Sequence, residues 1–133
     1  MSRVPVDHAR GEELTYLQAL AEGRVVFQVC DDCGSAVWYL RTVCPFCMSA
    51  ALREHTAVGT GTIHSLTTLH RAGNAARVGD LPYTVALVDL DEGVRVIGDL
   101  ADADNGPLAI GDRVTAHPYP DGVVFEALER NAR

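Results

Sequence analysis

Cys30-Asp31-Asp32-Cys33 and Cys44-Pro45-Phe46-Cys47 contain every cysteine of this chain, and their spacing decides the first half of the fold. A C-x2-C loop turns the backbone so that two sulfurs converge on one point. The residues from Gly34 to Val43 suffice to cross a short hairpin and deliver the second pair. The pattern predicts one closed tetrahedral zinc site with Cys30, Cys33, Cys44 and Cys47 as ligands. Four thiolates leave no position for water or substrate, so such a zinc is structural, and its binding energy acts as folding energy for a ribbon too small to hold itself together. Two disulfides or a redox-active pair are the competing readings of the same residues. Both fit less well, because no secretory signal points to an oxidising compartment and two equivalent pairs resemble ligands more than an attacking and a resolving thiol.

Outward from the cysteines, Val25 to Val29 reads as a strand entering the first knuckle and Ala36 to Leu40 as a strand leaving it. Gly34 supplies the left-handed residue that follows a knuckle. Met48 stands at the equivalent place after the second pair, where a side chain is less comfortable. Trp38 and Tyr39 offer a stacking surface, but a ribbon this small needs at least one of them for its own core. Upstream, Glu12 to Glu22 has helical periodicity, with Leu14, Leu17 and Ala21 on one face and Leu20 and Tyr16 flanking it. Glu12 and Glu13 suit the positive end of that helix and Gly23 can close it. A helix of this length is unstable alone. It either covers a neighbouring barrel or grips a partner.

Downstream, the chain is strand and turn. Gly59-Thr60-Gly61-Thr62 opens the long run Ile63 to His70, and the two glycines permit the bend or bulge that a coiled strand needs. No helix, third glycine or lysine follows, so this Gly-x-Gly is not a phosphate loop. Tyr83 to Leu90 and Val94 to Gly98 form a hairpin around Asp91-Glu92-Gly93, with glycine at the left-handed position. Val114 to His117 and a last strand after Asp121-Gly122 complete five strands, with a longer excursion from Ala101 to Pro107. The fold class read from this order is mainly β: an N-terminal helix, a zinc ribbon and a five-stranded OB-type barrel. The corresponding segments are residues 1–24, 25–54 and 55–133.

The chain has 133 residues, room for one compact domain with a small appendage. It carries 11 arginines, no lysine and 18 carboxylates, a formal charge of −7. That balance repels phosphate backbones, and basic residues interleaved with stacking aromatics are missing, which argues against nucleic acid as a ligand. No run of about 18 apolar residues exists, so no membrane span is expected and the chain reads as soluble and cytoplasmic. With all thiols committed to metal and no Gly-x-Ser-x-Gly elbow, it offers no obvious nucleophile. Among the histidines, only His64 and His70, six apart on one run, suggest a shared strand face. His8, His55 and His117 sit where no partner is apparent.

Ala19 to Arg24, Gln28 to Gly34, Arg41 to Cys47, Gly59 to Ile63 and Val88 to Arg95, in this order, resemble the zinc-ribbon OB-fold proteins associated with acyl-CoA metabolism, long catalogued as a domain of unknown function. The likeness runs from about Leu14 to Leu128 and adds a rubredoxin-like form for the ribbon. Tyr39 and Leu40 replace the prolines usual before the arginine matching Arg41, and Met48 stands where glycine is common. The resemblance implies a helper: a small, non-catalytic subunit that assembles with a thiolase-fold enzyme in acyl transfer, thiolysis or retro-aldol cleavage of CoA thioesters. If acyl-CoA lies at such a junction, Arg71 and Arg77, beside His70, are the expected phosphate contacts. Residues 89 to 112 carry seven carboxylates against Arg95 and would repel it. An independent acyl-CoA binding protein and a nucleic-acid-binding OB module are the alternatives.

Overall fold

The computed structural model describes residues 11–73, 75–101 and 107–128, so most of the excursion after Ala101, and His8, lie outside the described residues. Helix α1 (Gly11–Ala21) carries its two acidic residues in the first turn, where they face the positive end of the helix dipole. It ends in a Schellman cap: Gly23 at φ 85° donates to the Leu20 carbonyl and Arg24 to that of Ala19. The buried face consists of Tyr16, Leu17, Ala19 and Leu20, and Ala21 is exposed. The face is therefore rotated from the Leu14–Leu17–Ala21 stripe expected, because the aromatic ring of Tyr16 has neighbours on the ribbon that a lone alanine could not reach.

The ribbon is a three-stranded sheet in the order β2 (Ala36–Val37), β1 (Val26–Cys30), β3 (Leu52–Thr56). The strand expected through Leu40 stops at Val37. Trp38 and Tyr39 leave the ladder and both pack on Tyr16, with ring centroids 5.7 and 4.9 Å away in edge-on geometry. Strand β3 runs across the 54/55 boundary and pairs along all of β1, from Val26↔Thr56 to Cys30↔Leu52.

Strands β4 (Thr60–Leu69), β5 (Tyr83–Leu90), β6 (Arg95–Leu100), β7 (Arg113–Tyr119) and β8 (Gly122–Ala127) close a barrel in the order β4-β5-β6-β8-β7. The seam between β6 and β8 is parallel and short, Asp99↔Val124 and Leu100↔Phe125; all other pairs are antiparallel. This is the OB arrangement. Gly93 at φ 97° makes the β5–β6 turn as expected. Gly61 has no room for a side chain: a Cβ there would overlap the Asp89 carbonyl oxygen and lie 2.9 Å from both Leu90 Cα and Val88 Cγ1. The curl of β4 against β5 requires this approach.

A bulge between Ile63 and Ser65 adds one residue to β4. It shifts the parity of the strand, so that Ile63 is buried before it and Leu66 faces inward after it, and it breaks the shared face assumed for His64 and His70. Both are exposed, and His70 lies in the bend beyond the strand.

One apolar core joins the three segments. Tyr16, Leu17 and Leu20 of α1, Val25, Val26, Phe27 and Leu40 of the ribbon, and Ile63, Val88, Val96, Val114 and Phe125 of the barrel are buried together. The helix is thus cover for the chain's own core. A second, smaller cluster of Cys30, Val37 and Cys44, with Leu52 against it, sits at the cysteine end of the ribbon.

Candidate functional site

Two knuckles face each other at the ribbon tip. In the first, the Gly34 amide donates to the Cys30 carbonyl at 2.8 Å; in the second, the Met48 amide donates to that of Cys44, also at 2.8 Å. Gly34 has φ 76° and Met48 φ 67°, so Met48 does occupy the left-handed position at which glycine would be unstrained. All four sulfurs lie within 4.8 Å of one another, with Cys30–Cys47 at 3.6 Å and Cys33–Cys44 at 3.7 Å. Sulfurs set about 2.3 Å from a central zinc form a tetrahedron with edges of about 3.8 Å, so the donor set and its spacing fit that ion. No disulfide joins them.

The two exposed thiols are shifted in opposite directions. Hydrogen bonds from Ser35 draw Cys33 down to about 6. At Cys47 the Ser49 backbone bond pulls downward, but desolvation and the bonds to Cys30, Cys33 and Cys44 push the thiol up to about 12. Cys30 and Cys44 are fully buried while Cys33 and Cys47 are exposed, so the site sits half in the ribbon's small core and half at the surface. When bound there, zinc would tie the two knuckles together and leave no open coordination position.

The other expected residues are placed differently. Arg77, in the 3₁₀ turn Ala75–Asp80, is buried. Its Nε donates to Asp80 at 2.9 Å and its Nη2 to Asp99 on β6 at 2.7 Å, and the guanidinium lies 3.7 Å over the Tyr83 ring. Its charge is balanced by two carboxylates and its face by an aromatic, so it clasps the turn to the barrel and does not project toward a phosphate. The clasp also caps Tyr83, an aromatic on the β5–β6 side where OB folds stack bases. Arg71 is exposed and, among the described residues, has no ion pair. His64 Nδ1 lies 3.6 Å from Asp89, His117 Nε2 3.3 Å from Glu126, and His55 stacks on Phe27 at 5.7 Å; none forms an acid–base constellation.

The structure adds Arg41 to the candidate residues. Gln28 holds its backbone from both sides, the Arg41 amide donating to Gln28 Oε1 at 2.8 Å and Gln28 Nε2 donating to the Arg41 carbonyl at 2.9 Å. The side chain lines an open cleft of about 550 Å³ between α1 and the ribbon hairpin, with Glu12, Tyr39, Leu40, Val43, Pro45 and Met48. The sequence signal was its place three residues before Cys44 in a stretch already notable for its metal ligands.

Comparison with known proteins places both halves of this architecture. Residues 17–53 match the rubredoxin-like zinc ribbon domain of ChsH2, and residues 54–117 its C-terminal OB-fold domain. A DUF35 domain-containing scaffold protein of Methanothermobacter thermautotrophicus is 36% identical over 87 residues, 64% of this chain and 64% of that one. A probable enoyl-CoA hydratase alpha subunit of Thermomonospora curvata is 31% identical over 96 residues, 72% of this chain but 30% of the relative. The chain thus spans less than two thirds of the length of either. The solved structure of an Ltp2-ChsH2(DUF35) aldolase contains a chain that superposes with a TM-score of 0.74 at 27% identity, covering 90% of this chain and 97% of that one. No described helix is long and apolar enough to cross a membrane. With ribbon and barrel matched in the same order and the four-sulfur cluster at the ribbon tip, this chain belongs to the DUF35 family of ChsH2-type zinc-ribbon OB-fold proteins.

Proposed function

We propose that this chain is a non-catalytic subunit of an acyl-CoA enzyme, held in shape by one zinc on Cys30, Cys33, Cys44 and Cys47, and that its partner has the thiolase fold. The observation that carries this reading is the likeness, over 90% of the chain, to a protein solved as part of an aldolase assembly. The chemistry of the chain agrees with it. Every thiol sits in the metal cluster, and the described histidines are exposed, paired with single carboxylates or stacked. Nothing among them is poised to attack or deprotonate a thioester. The partner therefore supplies the reacting groups and this chain supplies surface. If CoA phosphates reach this chain, Arg71 is, of the two arginines expected to meet them, the one left to do so, while Arg77 holds its turn in place.

Co-expression with a candidate thiolase-fold partner tests this. The two should co-elute as one species by light scattering, and acyl-CoA turnover should require both. A partner fully soluble and active alone, or two proteins that never co-elute, would refute the subunit reading and leave an independent acyl-CoA binding protein as the better account.

A further inference from the structure

Seven arginines fall among the described residues, in a chain with 18 carboxylates. Arg24, Arg53, Arg77, Arg95 and Arg113 are each paired with an acid. Arg41 and Arg71 are the two without an ion pair among the described residues. Arg71 stands on an exposed bend, whereas Arg41 stands at a cleft, and its backbone is fixed there by the Gln28 amide. A cation left unneutralised where acids are in excess, on a pinned backbone, is placed for an anion from outside.

The cleft adds an apolar floor of Tyr39, Leu40, Val43, Pro45 and Met48. Met48 is 72% exposed and Phe46 beside it 69% exposed, large apolar side chains presented to solvent. The knuckle places Met48 at a positive φ where glycine would be unstrained, so the chain carries a large apolar side chain at a position that does not favour one. The opposite wall is acidic. Glu12 lines it, and Glu13 lies close enough to Tyr39 to add to the effect of burial in raising its hydroxyl pKa. An open cleft lined by Arg41, Glu12 and apolar residues suits a protruding chain segment better than a small molecule, since small-molecule sites enclose most of their ligand.

We infer that the cleft between α1 and the ribbon hairpin is the docking site for a protruding segment of the partner enzyme, one that presents a carboxylate to Arg41 and apolar side chains to Val43 and Met48. A basic residue of the same segment meets Glu12. This rests on the subunit reading and adds to it a location: the contact is made by the ribbon tip, where the second knuckle carries Val43 and Met48 and a zinc on the four cysteines would hold that knuckle against the first.

The test is the affinity of the purified, zinc-loaded chain for the thiolase-fold partner with which it co-elutes. Arg41→Glu should weaken it about thirtyfold or more, as expected for reversing one charge of a buried interfacial pair. Arg41→Lys should lose less. Met48→Gly removes the apolar side chain where glycine is the natural backbone choice, and should weaken association about fivefold while zinc content stays at one and the free chain melts no lower. Wild-type affinity in both Arg41→Glu and Met48→Gly overturns the inference and leaves the subunit reading standing. Acyl-CoA binding by the free chain that Arg41→Glu abolishes also overturns it, by assigning the cleft to a ligand. If the wild-type chain does not associate at all, the subunit reading fails and this inference falls with it.

Discussion

Replacing Arg77 by methionine separates two incompatible roles for that residue. Its side chain is 9% exposed, and it makes ion pairs of 2.9 Å with Asp80 and 2.7 Å with Asp99, whose side chains are each 21% exposed. Removing one partner of a buried pair typically costs about 3–5 kcal/mol, because the other charge is left stranded. Here the two carboxylates retain some contact with water and Asp99 keeps a further interaction, which recovers part of that cost. The lost stacking over Tyr83, at 3.7 Å, adds about 1 kcal/mol. Arg77→Met should therefore destabilise the zinc-loaded protein by about 2–4 kcal/mol in urea unfolding. Because Asp99→Asn removes the other half of the same pair, the double variant should be less damaged than the sum of the two, with a coupling of about 1–3 kcal/mol. Measured alongside, acyl-CoA turnover by the assembled complex should follow the loss of folded protein and no more. If Arg77→Met melts like the wild type but selectively raises the KM for CoA thioesters, the clasp is not structural and the phosphate role expected from sequence is the correct one.

Cys44→Ser should leave less than one zinc per chain by elemental analysis and expose the ribbon tip to hydrogen exchange, since only Val37 and Leu52 pack there besides the cysteines; wild-type zinc content and protection would refute the metal assignment. Gly61→Ala must push the backbone of β4 from that of β5 and should cost about 1–3 kcal/mol, read as a lower urea midpoint; an unchanged midpoint would mean the two strands part freely. Asp91, hydrogen-bonded first by Arg113 and also by Thr60, has its pKa lowered to about 2. Its folded value lies below the unfolded one, so the stability it contributes is complete above the ordinary carboxylate range near 4 and is lost as pH falls toward about 2. Both side chains are largely exposed, so the effect should be small and salt-sensitive; Asp91→Asn should flatten this part of the acid unfolding profile, and an unaltered profile would show the pair to be inert.

The ribbon was legible because its information is local: two knuckles, the glycine after one and the methionine after the other are all set by spacing along the chain. The barrel's strands were legible from alternation and turn glycines. What sequence concealed depends on partners distant in the chain. The bulge at His64 adds a residue with no compositional mark, and only the pairing with β5 reveals the change of face. Strand β3 places Arg53, Glu54, His55 and Thr56 all in solvent, so it lacks the alternation by which a half-buried strand is recognised. Arg77 looked like a loop cation because one of its acids, Asp99, lies 22 residues away on another strand. Arg41 looked like part of a metal motif because the amide that pins it, on Gln28, comes from across the ribbon.

Val25, Val26 and Phe27 are buried in the apolar cluster that also takes in residues of α1 and of the barrel. The ribbon is consequently not a cassette that could be excised or grafted elsewhere intact. A fragment ending near residue 54 would lose the barrel's share of that cluster, and a barrel expressed without its preceding residues would lose the helix that packs on β7 and β8. If a partner grips the metal tip, it is joined to whatever meets the barrel through the strand β1, which runs from the cysteine cluster into the shared apolar core.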